Sequence, residues 1–443
     1  MNIGIISLGC CKNRVDTEVM IGILKKSGHR MVNALDQADA IIVNTCGFIN
    51  DAKEEAIKTI LDTGKMKNTG RLRFLIAAGC MSQRYGRELL DEMPELDGVV
   101  GVSCFDAIDQ VIDEVAAGAT VVRVQDIPPN YGIDVPRVLT TPAGSAYLKI
   151  AEGCDNRCSY CAIPLIRGQL RSKPMDNVVD EAVNLSQRGV KELVLIAQDT
   201  AAYGMDLYGK KMLPELLPRI EAIDGIEWIR LMYVHPAHLD DQLIGTMRSS
   251  SKIIPYLDLP VQHVSSHILR GMNRKHDKKH LEDLLARVKQ DIPGLVLRTT
   301  VMVGFPGEEE DDFEQLMDFV NKIRFDWLGV FKFDAEEGTT AYSMPGQVSD
   351  DIKQRRYQLL MQLQKNITRD KNIARINQVM PVLISSHLSQ SLYIGRTYFQ
   401  APEVDGLTVV KSDIRLKPGE MVDVRIKGVR EYDTIGEIAH EST

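Results

Sequence analysis

Basic surplus and membrane-length apolar runs are both missing from this 443-residue chain. Its 53 Lys and Arg are outnumbered by 61 Asp and Glu, a formal net charge of −8. That balance disfavours a general nucleic-acid binder, though it leaves room for a local basic patch. No run reaches the ~18–20 uncharged apolar residues that span a bilayer, so no membrane partner is expected. Met1-Asn2-Ile3-Gly4-Ile5-Ile6-Ser7 enters a strand pattern with neither a basic n-region nor a small-residue cleavage site, which makes the cytoplasm the expected compartment. Eight cysteines in such a chain point to metal or redox chemistry rather than a disulfide scaffold.

Three of the eight sit on one short loop, Gly153-Cys154-Asp155-Asn156-Arg157-Cys158-Ser159-Tyr160-Cys161, spaced CxxxCxxC. Thiolates this close cannot all pair as disulfides. They suit an iron–sulfur cluster, which normally takes four cysteines. A fourth is absent: the next cysteine upstream is Cys104 and none follows Cys161. Three protein ligands would leave one iron open to bind something else. A zinc site would need a second CxxC or spaced histidines. His235, His263 and His267 do not supply them. Structural burial fits poorly too, because free cysteine prefers apolar surroundings and this loop is polar.

Residues 1 to about 120 alternate strands with helices. Strand runs fall at Ile3–Leu8, Ala40–Asn44 and Arg73–Ala78, with helical patterns at Asn13–Lys26, Asp51–Lys65 and Gln83–Glu92. This order predicts an open parallel sheet covered on both faces. Gly9-Cys10, Cys46-Gly47 and Gly79-Cys80 each follow one of those strands. Ligands of such sheets collect beyond the carboxyl ends of the strands, so the three loops can converge. Read from the residues alone, the trio is either a second ligand set or three ordinary cysteines at strand ends. Cys11 and Cys104 break the register and read as non-ligands, although Cys11 could substitute for its neighbour.

Residues 126–144 are rich in proline and turn residues and read as a linker. From 145 to 349 the alternation resumes, with strand runs at 146–151, 192–197, 227–233, 255–259, 295–303 and 327–333. Six βα units predict a partial (βα)6 barrel, open rather than closed, whose active face is the carboxyl end of its strands. Gln198-Asp199-Thr200, Pro260-Val261-Gln262-His263 and Gly304-Phe305-Pro306-Gly307-Glu308 lie at those ends and read equally as ordinary turns or cofactor contacts. Residues 350–374 form a connecting helix with a stripe of Ile352, Leu359, Leu360, Leu363 and Ile367. Residues 375–443 change to short β runs with Gly and Pro turns, a small all-β barrel. With eight Lys/Arg against nine Asp/Glu, this module is not a basic RNA clamp.

The CxxxCxxC loop resembles the signature of the radical S-adenosylmethionine (SAM) superfamily. The whole chain resembles the methylthiotransferase family, and Leu8-Gly9-Cys10-Cys11-Lys12-Asn13, Pro164-Leu165-Ile166-Arg167-Gly168, Leu259-Pro260-Val261-Gln262-His263 and Gln400-Ala401-Pro402-Glu403-Val404-Asp405-Gly406 are similar to its RimO-type branch. Cys11 departs from that pattern, which usually has proline there. The resemblance implies an N-terminal methylthiotransferase domain (1–125), a radical-SAM domain (145–349) and a C-terminal TRAM barrel (375–443). It implies one [4Fe–4S] cluster on Cys154, Cys158 and Cys161, where SAM is cleaved reductively, and an auxiliary [4Fe–4S] cluster on Cys10, Cys46 and Cys80 that carries the sulfur. One SAM would methylate that sulfur and another would yield a 5′-deoxyadenosyl radical, which takes a hydrogen from the β-carbon of an aspartate.

No side chain deprotonates an unactivated aliphatic C–H bond near neutral pH, so the cofactors carry the chemistry and no protein catalytic residue is assigned. Lys149, Arg167, Arg171 and Gln198 are candidate SAM contacts by position. The implied partners are small-subunit ribosomal protein S-twelve, free or in the subunit, and a low-potential electron donor. Ribosomal proteins are generally basic, which suits an acidic enzyme, with Glu403 and Asp405 as candidate contacts. A transfer-RNA adenosine methylthiotransferase is the alternative enzyme, and a redox sensor or scaffold with structural clusters the alternative class.

Overall fold

Alternating apolar runs build a six-stranded parallel sheet at the start of the chain. The computed structural model describes residues 1–127 and 136–439. The sheet holds β1 (Asn2–Ser7), β2 (Arg30–Met31), β3 (Ala40–Thr45), β4 (Phe74–Gly79), β5 (Gly98–Gly101) and β6 (Val121–Arg123) in the order β2-β1-β3-β4-β5-β6. Successive side chains leave opposite faces of a strand. Ile42, Ile76, Ala78 and Val100 therefore pack into one apolar layer with Ile108 and Ile112, while Ile41, Val43, Leu75, Ala77 and Val99 pack into another with Ile60 and Leu90. Both faces are covered, as a parallel sheet requires.

The second sheet is also parallel. Its strands β7 (Ser145–Lys149), β10 (Glu192–Ile196), β11 (Trp228–Leu231), β12 (Ile253–Asp258), β13 (Val296–Val303) and β14 (Trp327–Lys332) lie side by side in sequence order. Between β7 and β10 a two-stranded antiparallel ribbon intervenes, β8 (Ala151–Glu152) against β9 (Arg171–Ser172). The C-terminal strands β15 (Val379–His387), β16 (Leu392–Thr397), β17 (Thr408–Lys411), β18 (Met421–Arg430) and β19 (Asp433–Ile438) close a barrel in the order β15-β16-β17-β19-β18. The expected fold class, an open α/β domain, a partial (βα)6 barrel and a small β-barrel, is the one observed. Of the expected linker, residues 128–135 lie outside the described residues, as do 440–443 of the C-terminal module.

The chain divides into two compact units. One comprises residues 1–140, 151–174 and 334–342; the other comprises 141–150, 175–333 and 343–443. The CxxxCxxC loop thus belongs to the same unit as the first sheet. Its following helix, Ile163–Arg167, packs Ile166 and Ala162 against Cys80 and Val102. The segment 334–342 is held there as well, with Glu336 accepting from Arg84 at 2.5 Å and Lys53 at 3.1 Å.

Within the other unit, the C-terminal barrel packs toward the amino ends of the parallel strands. Glu192, the first residue of β10, lies 2.8 Å from Arg230 and 2.5 Å from Arg396. Burial disfavours the Glu192 charge, but Arg396 and Arg230 overcome it and hold the carboxyl down to about 2. The indole of Trp327 donates to Phe399 O at 2.5 Å. The opposite, carboxyl ends of the strands are left for loops.

The connecting helix runs Asp350–Ile373, and its buried face differs from the expected stripe. Ile352 and Leu359 are exposed, while Arg356, Leu360, Gln364 and Ile367 are buried at spacings of three and four. Two polar side chains replace the two leucine-like ones because each has a fixed partner. Arg356 pairs with Glu308 at 3.0 Å, and Gln364 donates to Phe325 O at 2.8 Å.

Candidate metal centres

Three strand ends meet at the N-terminal cysteines. Cys10 caps the helix Cys11–Lys26 that follows β1, Cys46 follows β3 directly, and Cys80 opens the helix Cys80–Glu92 that follows β4. Cys10 is exposed, Cys46 half-buried and Cys80 buried. Glycine lets the loops close on one another. A Cβ on Gly9 would sit 2.9 Å from Cβ and 3.3 Å from Sγ of Cys46, and one on Gly47 would sit 2.8 Å from Cα of Met81. Gly79 holds φ +101°, a left-handed conformation open to glycine.

Asn13 ties these loops together. Its amide donates to Leu8 O at 3.1 Å and to Thr45 O at 2.9 Å, and its Oδ1 accepts from Arg167 at 2.7 Å. Asn44 donates back to Asn13 O at 2.8 Å, and Thr45 to Ala78 O at 2.6 Å. Burial pushes the Cys80 thiol up to about 12, and the charge of Arg167 works against that rise. Burial likewise raises Cys46, and the proximity of Cys10 adds to it. Protein surroundings alone therefore keep these thiols protonated, whereas a bound metal takes them as thiolates. Cys104 points elsewhere, into the apolar layer with Ile3 and Phe105, and Cys11 is buried.

The CxxxCxxC loop is closed at its base by the β8/β9 ribbon, where Glu152 faces Arg171. Cys154 N donates to Gly168 O at 3.1 Å, Cys161 N to Cys158 O at 3.1 Å, and Leu170 N to Asp155 Oδ1 at 3.1 Å. Asn156 donates to Cys154 Sγ at 3.4 Å. Gly153 has φ +77°, and a Cβ there would fall 1.9 Å from Gln169 O, so only glycine fits. All three cysteines are half-buried, and no disulfide joins any of the eight. Three thiols on a loop fixed by its own backbone fit a cluster with one open iron.

The four expected SAM contacts fall in different places. Lys149 ends β7 and Gln198 lies two residues past the end of the neighbouring β10, so both stand at the carboxyl ends of adjacent strands. Arg171 begins β9 and donates to Arg167 O at 3.3 Å. The guanidinium of Arg167 is committed within its own unit. It reaches Glu152 at 2.8 Å, Asp16 at 3.0 Å, Asn13 at 2.7 Å and Cys80 Sγ at 3.3 Å. Burial works against its charge, yet the carboxylates of Glu152 and Asp16 hold it protonated.

Of the polar clusters at the other strand ends, Glu308 closes its own turn by accepting from Gly304 N at 2.5 Å and Phe305 N at 3.1 Å. Asp199 lies 2.6 Å from His238, and with His235 these groups gather within 4.8 Å. Sequence reading named Asp199 and His235 but not His238, three residues further on. His235 Nδ1 accepts from Ala237 N at 3.2 Å, an ordinary turn contact. Asp405 is a correction to the expected protein-contact pair. Its side chain is fully buried, accepting from Tyr256 at 2.7 Å and paired with Arg298 at 3.3 Å, because it joins the C-terminal barrel to β12 and β13. Glu403 alone is exposed.

A parallel sheet bearing three cysteine loops, a CxxxCxxC loop, a six-stranded partial barrel and a closed β-barrel define a radical-SAM protein with an added N-terminal domain. Three family models cover the chain accordingly: Uncharacterized protein family UPF0004 over residues 2–101, Radical SAM superfamily over 148–320, and TRAM domain over 376–439. The chain is 56% identical to the ribosomal protein uS12 methylthiotransferase RimO of Syntrophomonas wolfei, over 99% of its length and all of the relative's. It is 44% identical to that of Clostridioides difficile, over 100% and 99% of the two chains. The chain belongs to the RimO family of radical-SAM methylthiotransferases.

Solved structures agree at the level of fold. The radical SAM methyltransferase TsrM of Kitasatospora setae, with cobalamin and a [4Fe-4S] cluster bound, superposes with a TM-score of 0.57 at 13% identity, over 77% of each chain. The cobalamin-dependent SAM radical enzyme OxsB, with aqua-cobalamin and SAM bound, gives 0.53 at 13% identity, over 83% of this chain and 56% of that one. Among the described residues, no helix is long and apolar enough to cross a membrane.

Proposed function

We propose that this chain replaces a hydrogen on the β-carbon of an aspartate of ribosomal protein uS12 with a methylthio group. The observation that carries the reading is the placement of two three-cysteine sets in one compact unit of a chain that matches its named relatives end to end. Cys154, Cys158 and Cys161 would hold the [4Fe–4S] cluster that receives SAM, and Cys10, Cys46 and Cys80 the auxiliary [4Fe–4S] cluster. When bound, these cofactors supply hydrogen abstraction from an unactivated C–H bond and the sulfur that replaces the hydrogen.

The residues of the chain hold, orient and shield. Gly9, Gly47 and Gly79 let three loops approach closely, and Asn13 fixes their spacing. The β8/β9 ribbon fixes the CxxxCxxC loop whose three cysteines would hold the cluster. Lys149, Arg171 and Gln198 are the proposed SAM contacts, while the guanidinium of Arg167, the fourth candidate, engages Glu152, Asp16, Asn13 and Cys80. In this reading residues 1–125 would carry the sulfur, residues 145–349 would generate the radical, and residues 375–443 form the TRAM module.

A net charge of −8 suits a basic protein target better than RNA, and the reductant would be a low-potential electron donor in the cytoplasm. The test is a deletion strain, with mass spectrometry of both uS12 and transfer-RNA nucleosides. The reading predicts that uS12 loses the mass of one methylthio group while the nucleosides stay unchanged. Loss of a methylthioadenosine with intact uS12 would overturn it in favour of a transfer-RNA target.

A further inference from the structure

One buried side chain touches elements of both cysteine sets. Arg167 lies six residues past Cys161 and is 2% exposed. Its Nη1 donates to Glu152, two residues before Cys154, at 2.8 Å. Its Nη2 reaches Cys80 Sγ at 3.3 Å, and also Asp16 at 3.0 Å and Asn13 at 2.7 Å on the helix that Cys10 caps. We propose that Arg167 is a positioning residue for the N-terminal set: its guanidinium donates to Cys80 Sγ, and Glu152 and Asp16 set how much positive charge that sulfur feels. This rests on the reading of Cys10, Cys46 and Cys80 as cluster ligands.

The argument is electrostatic. A hydrogen bond from a cation to a ligand sulfur stabilises the more negative, reduced state of a cluster, and hydrogen bonds to the sulfurs are among the factors that set its potential. Burial strengthens the effect, because charges in a low-dielectric interior are weakly screened. Two carboxylates on the same guanidinium oppose it. Removing the cation and removing an opposing anion must therefore move the potential in opposite directions. A residue that merely props the loops apart would give no such reversal.

The test uses the full chain with Cys154, Cys158 and Cys161 replaced by alanine, reconstituted anaerobically, so that only the N-terminal set can hold iron. About four irons per chain are expected. The midpoint potential is then read by a redox titration followed by electron paramagnetic resonance. Arg167→Gln is expected to shift it negative, with the reduction equilibrium weakened roughly tenfold, about 59 mV for a one-electron couple. Arg167→Lys should shift it less, since the charge is kept.

Glu152→Gln, which retains the arginine, is expected to shift it positive. That variant decides the matter even where Arg167→Gln fails to hold its cluster. A positive shift supports the proposal, and no shift or a negative one overturns it. A parent chain that binds no iron would instead sink the ligand assignment on which the proposal stands. Retained iron with unmoved potentials sinks the role of Arg167 alone.

Discussion

At the scale of single residues, the N-terminal cysteine set depends on atoms that are not there. Gly79 holds φ +101°, and a Cβ on it would meet Asn44 Oδ1 at 2.4 Å and Thr45 O at 2.5 Å. Both obstacles are fixed, one a buried amide and the other backbone. Gly79→Ala should therefore cost at least about 1–3 kcal/mol in denaturant titrations, and it should displace Cys80 from its neighbours. Reconstituted iron should fall from about eight to about four per chain. Full iron in a stably folded variant would contradict the account. The adjacency of Gly to Cys10, Cys46 and Cys80 was readable in the sequence, because glycine beside a strand end signals close approach. Asn13 was not. It is one polar residue in an amphipathic helix, and nothing local says that its amide will span Leu8 O and Thr45 O. The commitment of Arg167 was hidden for the same reason. Asp16, Asn13 and Cys80 lie far from it along the chain.

At the scale of elements, long periodic segments were legible and short ones were not. The helices Cys11–Lys26 and Asp350–Ile373 and the six strands of the partial barrel lie within a few residues of their expected positions. β2 and the β8/β9 ribbon hold two residues per strand, and β5 and β6 hold four and three, too few for any period to register. The ribbon matters most, because it closes the CxxxCxxC loop. Docking of the C-terminal barrel was equally hidden, since it turns on buried ion pairs rather than an apolar stripe.

Glu192 lies between Arg230 and Arg396, fully buried. Glu192→Gln leaves two guanidinium groups short of a counter-charge, and such breakage of a buried pair costs about 3–5 kcal/mol. Urea titration followed by tryptophan fluorescence should report it, since Trp228 and Trp327 lie in the same unit. The pH dependence has a fixed sign. The carboxyl sits at about 2 when folded against an ordinary value of 4.5, so its stabilisation is present above about 4.5 and is lost as pH falls toward 2. The wild type should lose stability over that window, and Glu192→Gln should not lose this component.

At the scale of the whole molecule, the chain is acidic, with a formal net charge of −8. The C-terminal module carries no basic excess, and Asp405 within it is spent on Tyr256 and Arg298 rather than on a partner. The CxxxCxxC loop alone identifies radical generation. In the proposed reading the N-terminal trio gives the reaction its product, and the fold brings both sets into one compact unit although more than 70 residues of sequence separate Cys80 from Cys154. The central claim is that both sets are needed for different halves of one reaction. Mass spectrometry tests it most directly, on uS12 incubated anaerobically with SAM, a strong reductant and reconstituted enzyme, beside the Cys10→Ala/Cys46→Ala/Cys80→Ala variant. The account predicts one methylthio group on a uS12 aspartate with the intact chain, and 5′-deoxyadenosine without any methylthio product with the variant. Methylthiolated uS12 from the variant would contradict it.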